Sequence, residues 1–219
     1  MFDDSEISKI KATWKSEEHF QKIKENWDSF NGLLEQTGAR APQLKEMLNH
    51  FGERACIAPA STRIEFHNAF PGGFIDHSLR VLRTAINISA ALNVKSSKDS
   101  IIIAAALHDW GKVGTLDADY YVMQDSQWHN KQGQMYRKND SIRMPNSQLG
   151  LFTMSQFGVK LSEDEYLSVL LNDGMYAEGN REYGMKEPSL ALIVHWADRW
   201  STQCEKMRTS LFDAAPSKL

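Results

Sequence analysis

An unbroken apolar run, Ile101-Ile-Ile-Ala-Ala-Ala-Leu107, ending in His108-Asp109, is the tightest constraint on how this chain folds. Asp99 and Ser100 just before it are N-cap residue types, so the run reads as the start of a helix. Apolar on nearly every side, such a helix belongs in the interior. A buried helix that delivers two adjacent ionisable groups is costly unless they are paired or hold a metal. Imidazole nitrogen and carboxylate oxygen are the ligand types of borderline and hard divalent ions. The run therefore points at a buried polar centre.

Two more segments supply what a metal would still lack. Upstream, His67-Asn-Ala-Phe-Pro-Gly-Gly-Phe-Ile-Asp-His77-Ser-Leu-Arg80 is a Gly-Gly turn feeding a helix whose first turn carries His77. Downstream, His195-Trp-Ala-Asp198 lies inside another apolar helix. The order H…HD…D, with the Gly-Gly turn, the apolar run and Lys112 in place, resembles the HD-domain superfamily of metal-dependent phosphohydrolases. The nearest branch is written H-x-A-x-x-G-G-L-x-[DE]-H-[ST] followed by A-A-L-x-H-D-x-G-K, and it includes the HD-type 3′-5′ exoribonucleases. The likeness covers Pro59 to Lys112 and the helix around Asp198. It implies an all-α helical bundle with a metal site between core helices. It also implies His77, His108, Asp109 and Asp198 as ligands of one divalent ion, drawn from Mn, Mg, Co, Ni, Zn and Fe. In the branch with a Glu at the position of Lys112 the chemistry is that of nucleotidases, so the mechanism of that branch does not carry over.

The resemblance implies a nucleotide, (d)NMP or (d)NTP, as substrate, cleaved at a phosphate ester or anhydride by a metal-activated water. Asp109 and Lys112 are the expected catalytic groups, and Lys112 doubles as a phosphate contact. The competing readings are an HD-type 3′-5′ exonuclease on short single strands, a di-iron oxygenase, and a non-catalytic HD binding module. The oxygenase needs more histidines than the chain offers between Asp109 and Asp198, where His129 and His195 stand. A net charge of −3 gives no global basic footprint for long nucleic acid, so a small anionic substrate comes first. Two cysteines, Cys56 and Cys204, are too few for a disulfide scaffold. The start Met-Phe-Asp-Asp-Ser-Glu lacks the order of a signal peptide, and no apolar run approaches ~18 residues. A cytoplasmic protein with no membrane partner is expected; the oligomeric state is not legible.

At 219 residues the chain suits one core with extensions. Residues 1–58 read as an N-terminal helical extension, 59–211 as the HD domain, and 212–219 as a frayed tail. Within 3–37 two helical pieces break near Ser16, and Trp14, Phe20, Ile23, Trp27, Phe30 and Leu34 form an apolar stripe ending at Gly38. His19 and His50 read as surface or half-buried histidines. Pro42 and Gly52 bracket a short helix. His67 either faces the substrate or metal, as in the resembling branch, or pins the turn. Arg80 shares a helix face with His77 and is either a phosphate clamp or an exposed charge. Residues 113–146 show little helical period and no hairpin signal, and mix Tyr121, Trp128 and His129 with Lys and Arg. They read as a lid-like insertion whose aromatic and basic residues contact substrate. Ser162-Glu-Asp-Glu165 is a capping box, and Pro188-Ser189 opens the last long helix. His195 shares a face with Asp198 and reads as supporting the site or as a core histidine.

Overall fold

The computed structural model describes residues 1–213. Its helices are α1 (Asp4–Thr13), α2 (Glu17–Leu34), α3 (Ala41–Ile57), α4 (Gly73–Ala91) and α5 (Lys98–Leu107). A small antiparallel hairpin follows, β1 (Tyr121–Met123) and β2 (Tyr136–Lys138), with the short α6 (Gln127–Lys131) between its strands. Then come α7 (Asn146–Gln156), α8 (Glu163–Leu170) and α9 (Ser189–Glu205). The fold is all-α, as the periodicity indicates.

α5 is the axis of the bundle. Ile102 through Leu107 are fully buried, and α4, α8, α9 and α2 pack around it. Its cap is Ser97 rather than Asp99 or Ser100: the Ser97 hydroxyl accepts from Ser100 N–H. Asp99 is engaged elsewhere, 2.6 Å from Arg40, and the same guanidinium lies 2.6 Å from buried Glu165 of α8. One cation thus ties the segment before α3 to the starts of α5 and α8. Beyond α5 a 3-10 turn, Trp110–Val113, turns the chain sharply. Trp110 is wholly buried, stacked on Phe30 at 6.4 Å and met edge-on by Phe51 at 5.5 Å.

The N-terminal helices break where expected, with Ser16 capping α2. Trp14, Ile23, Phe30 and Leu34 are buried, but Phe20 is 54% exposed and falls outside the stripe. His19 takes its place inside: it is fully buried, and its Nε2–H donates to the Pro71 carbonyl at 2.9 Å. The expectation of a surface or half-buried His19 is therefore corrected, because a single backbone acceptor satisfies one ring nitrogen. α3 runs past Gly52, which kinks it in the left-handed region rather than ending it. The absence of a hairpin is also corrected. Tyr121 pairs with Lys138 and Met123 with Tyr136, in strands too short to display alternation. Asp213, at the start of the expected tail, accepts from the N–H groups of Thr209 and Ser210; residues 214–219 lie outside the described residues.

Candidate metal centre

The first wall of the centre is the Gly-Gly turn. Gly72 caps α4 with φ +83°, and a Cβ on Gly73 would land on the Asn68 carbonyl oxygen. Only a bare backbone lets the turn close this tightly. The closure places His77, in the second turn of α4, at full burial. The second wall is the end of α5, carrying His108 and Asp109. The third is α9, which packs along α4 and carries Asp198 and, at its end, Glu205.

The two histidines are held in matching fashion. His77 Nδ1 lies 2.8 Å from Glu205 Oε2, and His108 Nδ1 lies 2.8 Å from the Ala105 carbonyl. Each acceptor fixes the proton on Nδ1 when the ring is neutral, leaving Nε2 as a lone pair. Both Nε2 atoms are buried without a hydrogen-bond partner. They face the same carboxylates: His77 Nε2 is 3.0 Å from Asp198 Oδ1, and His108 Nε2 is 3.3 Å from Asp109 Oδ2. Two orphaned imidazole nitrogens aimed at two carboxylates are a poor core and a good cation site. The residues present fit a divalent ion.

Electrostatics agree. Burial disfavours an imidazolium at His77, but Glu205 and then Asp198 outweigh it and hold its pKa up at about 10 without metal. Burial alone would raise Asp109, yet Lys112 and then His108 hold its carboxyl well below the usual range. Asp198 is likewise held low against burial, by His77 foremost. Asp109 is also fixed in orientation: Oδ1 accepts from Asn146 Nδ2 at 2.5 Å and from Asn172 Nδ2 at 3.2 Å. That leaves Oδ2 for the centre and for Lys112, whose Nζ is 2.5 Å away. Lys112 is almost buried, and Asp109 holds its pKa up against desolvation.

Above the centre lie two cavities of about 430 and 420 Å³ that share His67, Lys112, Arg199 and Thr202. His67 packs on His77 with ring centroids 4.7 Å apart, and neither of its ring nitrogens has a partner. It is kept neutral by burial and by Lys112. Its ring nitrogens do not pin the turn; one of them lies within ligand distance of His77 and Asp109. Tyr121 of β1 lines the second cavity. Trp128 and His129 do not reach either cavity: they sit on α6, Trp128 65% exposed, where the hairpin leans on α1 through Lys131 and Asp4. The even spread of aromatics along 113–146 conceals that, among them, only Tyr121 of β1 lines either cavity. Arg80 lines neither cavity, and its Nε donates to Asp76 at 2.9 Å. His195 lines the first cavity, its Nδ1–H donating to the Asn172 carbonyl at 2.7 Å.

Sequence reasoning missed Glu205, Asn146, Asn172, Asp173 and Arg199. Asn172 and Asp173, both in the wall of the first cavity, stand in a run of turn-forming residue types, Asn172-Asp-Gly174, that carries no helical phase. Arg199 follows Asp198 directly, about 100° around the helix, so helical phase gives no signal for it, and its long side chain reaches the cavities all the same.

An all-α bundle with a buried imidazole–carboxylate centre at the junction of three helices defines a class of metal-binding hydrolase folds. The sequence profile of the HD domain matches residues 74–203, more than half of the chain and a span that contains His77, His108, Asp109 and Asp198. The chain belongs to the HD-domain family, a superfamily of metal-dependent hydrolases. No curated protein and no solved structure matches it. None of the described helices is long and apolar enough to cross a membrane.

Proposed function

We propose that the protein is a metal-dependent phosphohydrolase acting on a nucleotide, a (d)NMP or (d)NTP. The observation that carries this reading is the pair of orphaned Nε2 atoms facing Asp109 and Asp198, with the Lys112 ammonium beside them at the cavity floor. His77, His108, Asp109 and Asp198 hold the ion in this reading. A divalent ion bound there polarises a phosphorus–oxygen bond and lowers the pKa of a coordinated water.

The chain's own residues do the rest. Asp109, its Oδ1 locked by two amides, presents Oδ2 to the ion beside the Lys112 ammonium and so fixes where a coordinated water would stand. Lys112 holds a non-bridging phosphate oxygen, and this contact strengthens as charge builds in the transition state. Arg199 stands across the shared cavity and adds a second cation for phosphate. His67, neutral and partnerless, accepts a hydrogen bond from substrate or water. Tyr121 supplies an aromatic face for a base, and the cavity sizes suit a mononucleotide. Residues 113–146 act as a wall of the substrate site through β1, in keeping with a lid-like role.

The test is a nucleotide screen for released phosphate or pyrophosphate with each divalent metal in turn. Turnover of mononucleotides that vanishes with chelator supports the reading. Oligonucleotides degraded from the 3′ end while mononucleotides stay intact would replace it with the exonuclease.

A further inference from the structure

A third chamber, of about 560 Å³, lies beyond Lys112 and Tyr121. The turn between α1 and α2, the end of α3 and the hairpin enclose it, and its walls are mostly apolar and aromatic. Trp14 lies nearly parallel to Tyr136, ring centroids 6.3 Å apart and planes 25° apart. Phe20, Tyr120 and Val122 also line it. Phe20, 54% exposed, and Ile57, 42% exposed, both border this space, which no described residue fills.

We propose that this chamber binds a small aromatic anion, at a site separate from the metal centre. Three observations point the same way. The volume falls in the range of small-ligand sites, and aromatic walls favour a flat ring stacked or met edge-on. Tyr136 is only 5% exposed and lines the chamber, and its hydroxyl makes no hydrogen bond to the described residues and is open to the chamber. Burial keeps that phenol protonated, so it can donate to an occupant of the chamber. Finally, Lys11 and Lys15 stand at the rim with no carboxylate partner among the described residues. Arg54, also at the rim, is consumed by Asp119 and by the Thr115 and Leu116 carbonyls. Glu53 is the unpaired acid there, so the free charge at the mouth is positive by one.

The occupant is thus a ring that stacks on Trp14 and Tyr136, with an acceptor for the Tyr136 hydroxyl and a carboxylate or phosphate toward the two lysines. Lys112 and Tyr121 border both this chamber and the metal cavities, but binding here does not depend on the reaction proposed above. The probes are naphthoate, naphthalenemethanol and naphthylmethylamine, which share a ring and differ in charge. They are titrated into the full chain by calorimetry and by quenching of tryptophan fluorescence.

Naphthoate is expected to bind about tenfold more tightly than the neutral alcohol, with the amine weakest. Reversing the rim with K11E and K15E together should cancel this preference, and V122W should remove binding by filling the space. Both lysines are on the surface, so the double variant decides the matter even if V122W does not fold; circular dichroism checks each. Asp198→Ala, in the metal centre, should leave naphthoate binding unchanged. Absence of binding, equal affinity for the three probes, indifference to the lysine reversal, or loss of binding in Asp198→Ala would each overturn the proposal.

Discussion

Asp109 is the residue on which the centre turns, since it faces His108, Lys112 and two amides at once. Asp109→Ala is expected to lose both bound metal and turnover while the helical spectrum persists, as metal analysis of the purified variant will show. Stoichiometric metal with normal turnover would make the His-Asp pair structural. Glu205 is expected to act one step back, by holding the His77 ring. Glu205→Gln should weaken manganese affinity by about 10- to 100-fold in calorimetry, whereas an unchanged affinity would reduce the contact to packing. Lys112→Ala should lower kcat more than it raises KM in steady-state assays, because its contact belongs to the transition state. The convergence of the four proposed ligands, His77, His108, Asp109 and Asp198, was legible because polar chemistry inside apolar helices is costly without a purpose. Glu205 was not, since its partner lies 128 positions away and its own surroundings are an ordinary helix end.

Helices were legible wherever caps and stripes agreed, as at Ser16 and at the Ser162–Glu165 box, which forms as expected. The hairpin was not, because three-residue strands give no period and their pairing is set by packing on the segment around Arg63 and Ile64. That is also why Trp128 and His129 were assigned to the substrate and stand elsewhere: in a loop, sequence spacing does not say which side faces inward. The 3-10 turn after α5 makes its own demand. A Cβ on Gly111 would strike the Asn146 carbonyl at the start of α7. Gly111→Ala should therefore push α7 outward and carry Asn146 from Asp109. A fall in melting temperature accompanied by weaker metal binding is the expected result; a loss of stability alone would mean that Asn146 does not position the carboxylate.

At the scale of the whole chain, Arg40 and Glu165 join helices distant in sequence, and their pairing sets an acid limit. Burial opposes the Glu165 carboxylate, but hydrogen bonds from Arg40, then Ser100, hold its pKa below the reference value of 4.5. A group lowered on folding stabilises fully above its unfolded pKa and loses that contribution as pH falls through the folded one. Urea midpoints should thus drop through the carboxylate range in the native chain, with a shallower drop in Glu165→Gln. At neutral pH that variant should be destabilised by about 3 kcal/mol, because Arg40 loses a buried partner. An identical acid profile in the variant would assign the limit to other carboxylates.

The contact between His77 and Glu205 also has a meaning in time. A chain made from its N-terminus presents the His108-Asp109 helix and the Gly-Gly turn long before α9 exists. Through most of synthesis the centre lacks Asp198, and His77 lacks the carboxylate that aims it. In the proposed reading, an ion held by His77 and Asp198 can be bound only after α9 has docked on α4, late in synthesis.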